Sequence, residues 1–536
     1  MARSIWRNAN IVTMSVVRPR AEALVVDGGR ILFVGTEREA VERAGSGCEL
    51  IDLGGRTIVP GFNDNHVHAI ILGDQNGQVR LTGLSAEEIV DALRGRFGDI
   101  RPGKVIIAYD WDYPACPNPT KELLDRAFPD NPVVLAQFGG HGLWMNSLAQ
   151  RKTGIEKGKP DPPGNGVVLR DESGDPTGVV REMSNSSFFA RHFFRMFFVK
   201  SLREPRVRNA LDHFRRLGIT SLQDNTWFFP VARTLAKLRR RGELTARFSC
   251  WSHGAMAWTV PLMRLASYDD VWVRRGPYKF FLDGSFSTRT AWLSQEYADD
   301  PGNFGRGMAA AEVTPILRRL AAHRRQGAFH AIGDRTVSTF LDAVELLYKE
   351  LPESRELRFR LEHAQLIRPE DIPRLQSLGV LVSAQPSALT TPEKDARLLG
   401  QERAEAAYPH RSLLDAGVHL SFGSDIPGEP TCDPIRAIHL VANRAGGERI
   451  TAEEALRCYT VGSAYAEFQE GVKGCLAPGM LADFAVLSQD LAAVPRERIG
   501  ETVVETTVVD GKVVYDRRAE VGEETAAASM ARTAER

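Results

Sequence analysis

Thr57-Ile58-Val59-Pro60-Gly61-Phe62-Asn63-Asp64-Asn65-His66-Val67-His68 is the stretch from which the rest of the chain can be read. A short apolar run leads into two histidines one residue apart. Residues i and i+2 of a strand face the same side, so His66 and His68 can reach one ion. By itself His-x-His is a weak signal in a chain with 12 histidines. Four later segments repeat the pattern and give it weight: Lys279 in Tyr278-Lys279-Phe280-Phe281, His330 in Phe329-His330-Ala331-Ile332, His363 in Leu361-Glu362-His363-Ala364, and Asp425 in Phe422-Gly423-Ser424-Asp425. Each group sits at the end of a short apolar run. Imidazoles and a carboxylate are ligands of a divalent, zinc-like ion, and strand ends are where a parallel barrel places its chemistry. A hydrogen-bonded core histidine would explain His330 or His363 alone. Five such groups in one order point to a metal site.

Working outward, strand-like runs at 57–62, 219–224, 246–252, 278–282, 327–332, 358–362, 379–384 and 418–423 alternate with helical stretches such as Val337 to Leu351, Glu370 to Leu378 and Ala452 to Phe468. Eight strands with intervening helices predict an α/β chain folded as a (β/α)8 TIM barrel over 57–469. Residues 63–218 separate the first two runs, far more than a βα connection needs. The stretch of about 73–205 therefore reads as an inserted subdomain after the first barrel strand, near the barrel mouth and a substrate cover. Its aromatics include Trp111, Tyr113, Trp144 and the phenylalanines from Phe188 to Phe198. They serve a core, a subunit contact or a substrate.

The two ends of the chain read as strands and turns. Asp27-Gly28-Gly29 between two apolar runs marks a hairpin, because these residues tolerate positive φ. Residues 1–56 and 470–520 each hold too few strands to bury a face alone, so one β-sandwich built from both is expected. The tail, 521–536, is poor in large apolar residues and is expected to be flexible.

Basic and acidic residues balance at 68 each, which leaves no global field to recruit nucleic acid or an anionic membrane. The first residues lack the apolar core of a signal peptide, and no apolar stretch is long enough for a membrane span. The 6 cysteines form no CxxC, so neither a disulfide framework nor a thiolate zinc site is implied. A reducing cytoplasm and a small-molecule substrate are expected, with a homodimer left open.

The set formed by Pro60-Gly61-Phe62-Asn63-Asp64-Asn65-His66-Val67-His68, Lys279, His330, His363 and Asp425 resembles the amidohydrolase superfamily. More narrowly it resembles the amidohydrolase 3 family, which includes N-substituted formamide deformylases. That match rests on Gly140-His141, Lys279-Phe280-Phe281-Leu282-Asp283-Gly284-Ser285, Glu362-His363-Ala364-Gln365, Gln385-Pro386 and Pro478-Gly479-Met480-Leu481-Ala482-Asp483-Phe484. It implies a distorted TIM barrel with a composite β-sandwich. It also implies that His66, His68 and Asp425 hold one divalent ion, zinc foremost, while His330 and His363 hold a second or complete a single-ion site.

Lys279 carries two readings. Neutral and desolvated, its amine can take up carbon dioxide and become a carbamate bridging two ions. Left unmodified, it pairs with Asp283 or another carboxylate. The carbamate is the reading carried forward. Asp425 is expected to be ligand, base towards water and acid towards the leaving nitrogen. His141 either contacts the substrate carbonyl or orients the insertion. Trp111 and Arg289 are candidate substrate contacts, though a surface or structural ion pair is the favoured role of Arg289. Asp334 and Glu362 support the histidines beside them. Asn63 and Asn65 depart from the family pattern, which has an aliphatic and a small residue there.

The expected activity is metal-dependent hydrolysis of an amide-type, non-peptide C–N bond in a small molecule. The same site used on a lactone, on a cyclic imide or for decarboxylation is the alternative within enzymes. A catalytically silent binding or regulatory protein is the alternative of another class.

Overall fold

The computed structural model describes all residues except 1–2, 77–78, 138–141, 162–166, 182–186, 255–269 and 521–536. The tail expected to be flexible lies outside the described residues. The chain forms two compact units, one of Met1–His68 with Leu211–Arg536 and one of Ala69–Ala210.

The first unit contains the barrel. Its strands are β1 (Phe62–Val67), β2 (Ile219–Trp227), β3 (Arg247–His253), β4 (Val273–Phe281), β5 (Gly327–Ala331), β6 (Arg360–His363), β7 (Leu381–Ala384) and β8 (Leu420–Phe422). All are parallel neighbours in that order. No β8–β1 ladder completes the sheet, and closure comes from the segment just after β8. The Asp425 N–H donates to His66 O (2.6 Å) and the His68 N–H to Ile426 O (3.0 Å). Gly423 permits that approach, because a Cβ there would overlap Asn65 Oδ1 and the His66 nitrogen.

The expected first strand, 57–62, is divided between two sheets. Thr57–Pro60 lies in a six-stranded sheet, pairing with Asn10–Val12 and Phe484–Leu487, and β1 begins only at Phe62. The step falls at Pro60-Gly61, where a second residue with a Cβ would meet Thr220. The six-stranded sheet also takes Arg20–Ala21, Val504–Val509 and Lys512–Asp516, so both ends of the chain build it. A four-stranded sheet of Ser4–Arg7, Ala23–Asp27, Arg30–Gly35 and Glu49–Asp52 completes the sandwich. Trp6, Leu24, Val26 and Ile31 pack there against Ile58, Phe484, Val486 and Val508. The hairpin turns at Gly28 and Gly29, both at positive φ as its sequence requires. Arg247, the first residue of β3, anchors the barrel to this sandwich. Its Nε and Nη2 donate to the two Asp483 carboxylate oxygens (2.5 and 2.9 Å).

The inserted unit has its own mixed sheet of Val167–Arg170, Pro176–Arg181, Gly142–Met145, Val133–Gln137 and Ile106–Trp111. Ile89, Leu93, Trp111, Leu124, Leu135 and Trp144 form its core.

Candidate metal centre

The interior of the barrel beneath the site is polar, and one guanidinium organises it. Arg360 on β6 is fully buried. Its Nε donates to Glu362 Oε1 (2.5 Å), Nη1 to Gln223 Oε1 on β2 (2.6 Å), and Nη2 to Asn65 O on β1 (2.9 Å) and Ser383 Oγ on β7 (3.0 Å). It also lies 4.8 Å from the ring centre of Trp251 on β3. A guanidinium has five donors in a rigid fork, so one side chain can tie five strands together.

A bulge in β1 brings consecutive residues into this interior. Leu222 to Asp224 on β2 is matched to the longer step from Asp64 to Val67 on β1, which breaks the two-residue alternation. As a result Asn65 and His66 both reach across the barrel. Asn65 Nδ2 donates to Ser421 Oγ (2.5 Å), and Ser383 Oγ donates to Asn65 Oδ1 (2.9 Å). His66 Nδ1 meets Glu362 Oε2 at 2.6 Å. Asn63, the other departure from the family pattern, donates its Nδ2 to Glu467 Oε1 (2.8 Å), just past the helix Ser463–Ala466.

Because Glu362 is a carboxylate, its contact places the proton of His66 on Nδ1 and leaves the Nε2 lone pair for the site. Asp425 Oδ1 is 3.4 Å from that Nε2 and 3.2 Å from His68 Nε2. His363 Nδ1 is held by Gln385 Oε1 (2.8 Å), which turns its Nε2 away from Gln385. His330 Nε2 donates to Gly284 O (2.9 Å). The His330 and His363 ring centres are 4.4 Å apart, and those of His66 and His363 5.1 Å. His66, His363 and Asp425 each offer a ligand atom within 4.8 Å of the others. Both His363 (φ 75°) and Asp425 (φ 53°) are held in the left-handed region, a strain that costs about 1–3 kcal/mol per residue and concentrates at functional sites.

This donor set fits a divalent ion. Two donors about 2.1 Å from one ion at the tetrahedral angle lie about 3.4 Å apart, and Asp425 Oδ1 stands at that spacing from His66 Nε2. The protonation states agree. Burial, reinforced by the Lys279 charge, pushes His66 down to about 4 and His363 to about 3. Burial beside His363 holds His330 well below the ordinary imidazole value. All three are neutral at pH 7, as ligands must be. Burial acts to raise Asp425, but His66, His68 and His363 outweigh it and hold its carboxyl far below the usual range.

Lys279 Nζ is 3.4 Å from His66 Nε2, in the same cluster. Burial, only partly offset by Glu362 and Asp425, pushes its ammonium down to about 8. Of the alternative partners, Asp283 is otherwise engaged. Asp283 accepts from the N–H groups of Trp292 (3.2 Å), Ile332 (3.0 Å) and Gly333 (2.9 Å) and from Thr336 Oγ1 (2.8 Å).

Two expected substrate contacts have other places in the structure. Trp111 is fully buried in the core of the inserted unit, its indole N–H donating to Leu135 O (3.1 Å). Arg289 forms a bidentate pair with Asp299 (3.0 and 2.7 Å). Its favoured role, a structural ion pair, is the one seen. Asp334 binds the Ser294 N–H (2.9 Å) and hydroxyl. His141 lies outside the described residues. The structure adds one residue that the sequence reading stopped short of. Asn225 follows the run 219–224 directly, and its Nδ2 is 2.9 Å from His66 Nε2.

The amidohydrolase family model matches residues 49–515. The chain belongs to the amidohydrolase family. Among curated relatives, the protein LONG AFTER FAR-RED 3 of Arabidopsis thaliana is 30% identical, the match covering 95% of this chain and 91% of that protein. The N-substituted formamide deformylase of Arthrobacter pascens is 27% identical over 95% of this chain and 98% of its own length. A solved structure of an uncharacterized metal-dependent hydrolase from Pyrococcus furiosus has a TM-score of 0.74 at 30% identity, covering 92% of this chain and 100% of that one. Family and neighbour together support hydrolase activity for this amidohydrolase. No helix among its described residues is long and apolar enough to cross a membrane.

Proposed function

We propose that this amidohydrolase cleaves an amide-type, non-peptide C–N bond of a small molecule at a divalent metal centre, with zinc the preferred ion. The observation that carries the reading is the convergence of buried His66 and His363 with partly buried Asp425 at the C-terminal end of a parallel barrel. The metal-dependent relative from Pyrococcus furiosus and the formamide deformylase support it. His66, His68 and Asp425 would hold one ion, and His330 and His363 a second.

When bound, such an ion polarises the substrate carbonyl and acidifies a water. The protein's own groups supply the rest. Glu362 fixes the His66 tautomer, and Gln385 does the same for His363. Asp425 Oδ1 faces two imidazoles, so Oδ2 is the oxygen that takes the proton from the attacking water and returns it to the leaving nitrogen. The lowered pKa of Lys279 lets its ammonium give up a proton more readily than an ordinary lysine, and the neutral amine so formed can add carbon dioxide. Its Nζ bonds to the carbon, a proton leaves for solvent, and an anionic carbamate stands where no Asp or Glu is offered.

The test is metal analysis of purified protein followed by a panel of N-formyl and N-acyl amines, lactones and cyclic imides. Stoichiometric zinc with amine release from the formyl or acyl amines is expected, both lost together in His68→Ala. Hydrolysis confined to lactones would overturn the C–N assignment. Full activity with normal metal in His68→Ala would overturn the ligand set.

A further inference from the structure

Asn225 lies at the C-terminal end of β2 and is 2% exposed. Its Nδ2 donates to His66 Nε2 across 2.9 Å. The direction of that bond is decided by the opposite side of the ring. Glu362 requires the proton on Nδ1, so Nε2 is an acceptor and the amide nitrogen must face it. The Nε2 lone pair is the one His66 would give to an ion. A lone pair cannot serve both, so loading the centre breaks the Asn225–His66 hydrogen bond.

The other half of the carboxamide is the informative one. Asn225 Oδ1 is buried and has no hydrogen-bond partner among the described residues. A group whose only task was to fill the space beside His66 would be better apolar, because an unsatisfied buried carbonyl is a standing cost. Rotating the carboxamide by half a turn exchanges its two ends and brings Oδ1 to the position Nδ2 now holds. With an ion to accept Oδ1, the rotated carboxamide again leaves one atom, Nδ2, without a partner, so the exchange costs little on that account; without an ion it would forfeit the bond to His66. What decides between them is the occupant of the site.

With the rotation, a neutral oxygen stands 2.9 Å from His66 Nε2. Two donors bonded to one ion at about 2.1 Å and at right angles lie about 3.0 Å apart. That is the spacing of adjacent ligands around a five- or six-coordinate ion. We propose that Asn225 is a ligand of the metal centre, turning its carboxamide oxygen onto the ion that His66 holds. The inference rests on the metal reading above and extends it to a residue of β2.

The sign of one measurement separates a ligand from a placeholder. Apo-protein is prepared with a chelator and titrated with Zn2+ against a chromogenic chelator, and cobalt-loaded protein is read by its visible absorption. If Asn225 is a ligand, Asn225→Ala weakens zinc binding at least about tenfold, the scale on which losing a group that supports a metal site acts. The cobalt bands intensify as coordination number falls. Asn225→Asp, nearly the same shape, binds zinc at least as tightly as the wild type. If Asn225→Ala binds zinc as tightly as the wild type or more tightly, the residue is only a placeholder and the proposal fails. If Asn225→Ala does not fold, Asn225→Asp decides, and looser binding in that variant overturns the proposal. A wild type that holds no ion overturns the metal reading itself, and a wild type that holds one while Asn225→Ala is unaffected overturns only this step.

Discussion

Replacing Arg360 by methionine is the sharpest test of how the barrel interior supports the site. Methionine has a similar reach but none of the donors. The change removes the bonds to Glu362, Gln223, the Asn65 carbonyl and Ser383, all among buried groups. It also leaves Glu362, fully buried, with His66 as its remaining partner. Breaking a buried ion pair by deleting one member costs about 3–5 kcal/mol, mostly from the charge left behind. Burial already works to raise the Glu362 pKa, and Arg360 is the largest influence holding it down. Without Arg360 the carboxyl therefore rises and loses its grip on the His66 Nδ1 proton. The double variant Arg360→Met/Glu362→Leu removes the stranded charge. It leaves orphaned acceptors at Gln223 and Asn65 and an orphaned donor at His66 Nδ1, about 1–3 kcal/mol each, and, with the larger cost of the stranded charge gone, should be more stable than Arg360→Met alone. Zinc affinity should fall about 10–100-fold in both variants, since in neither does a carboxylate orient His66. The assay is urea denaturation of chelated apo-protein, with zinc affinity measured separately by competition. Equal stability of the single and double variants, or wild-type zinc affinity in the double, would show that Arg360 is not what holds Glu362 and His66 in place.

Three further outcomes are expected. In chelator, the wild type should lose stability relative to a His66→Gln/His363→Gln variant as the pH drops below about 6.5 towards 4, because His66 (about 4) and His363 (about 3) stay neutral in the folded chain while their unfolded forms take up protons. The variant shares Asp64, Asp283 and Glu429, whose raised carboxyls act in the opposite direction. Each contributes a slope of up to about 1.4 kcal/mol per pH unit. A difference between wild type and variant that is the same at pH 7 and pH 5 in urea denaturation would refute this. Lys279→Ala should lose activity and at least one ion, partly regained with a short carboxylic acid in the assay, whereas Lys279→Glu retains more metal; equal metal in wild type and Lys279→Ala by elemental analysis would refute the carbamate. Deleting residues 1–50 removes Trp6, Leu24, Val26 and Ile31 from the sandwich core and should give aggregated or less heat-stable protein in light scattering and melting; a truncated chain as stable as the full one would refute the composite packing.

The sequence by itself determined the barrel, the shared sandwich and the chain order of the residues gathered at the site. These features are local in the chain. An apolar run records a strand, its end records where a side chain can face the site, and a polar donor at that end is a single residue to find. His66, His330, His363 and Asp425 are legible for that reason, as is the Gly28-Gly29 hairpin. Tertiary structure decided what depends on partners far away in sequence. An apolar run does not say which sheet it joins, so only the fold shows Thr57–Pro60 leaving the barrel for the sandwich. Trp111 and Arg289 carry side chains fit for substrate, and their commitments to Leu135 and Asp299 appear only once the chain is folded. Arg360 and Asn225 look in sequence like ordinary polar neighbours of a strand. Their roles come from groups up to 295 positions away, brought within hydrogen-bond range by barrel closure and by the bulge in β1. Spacing along a chain encodes which face a residue takes, and only the closed barrel sets what stands opposite that face.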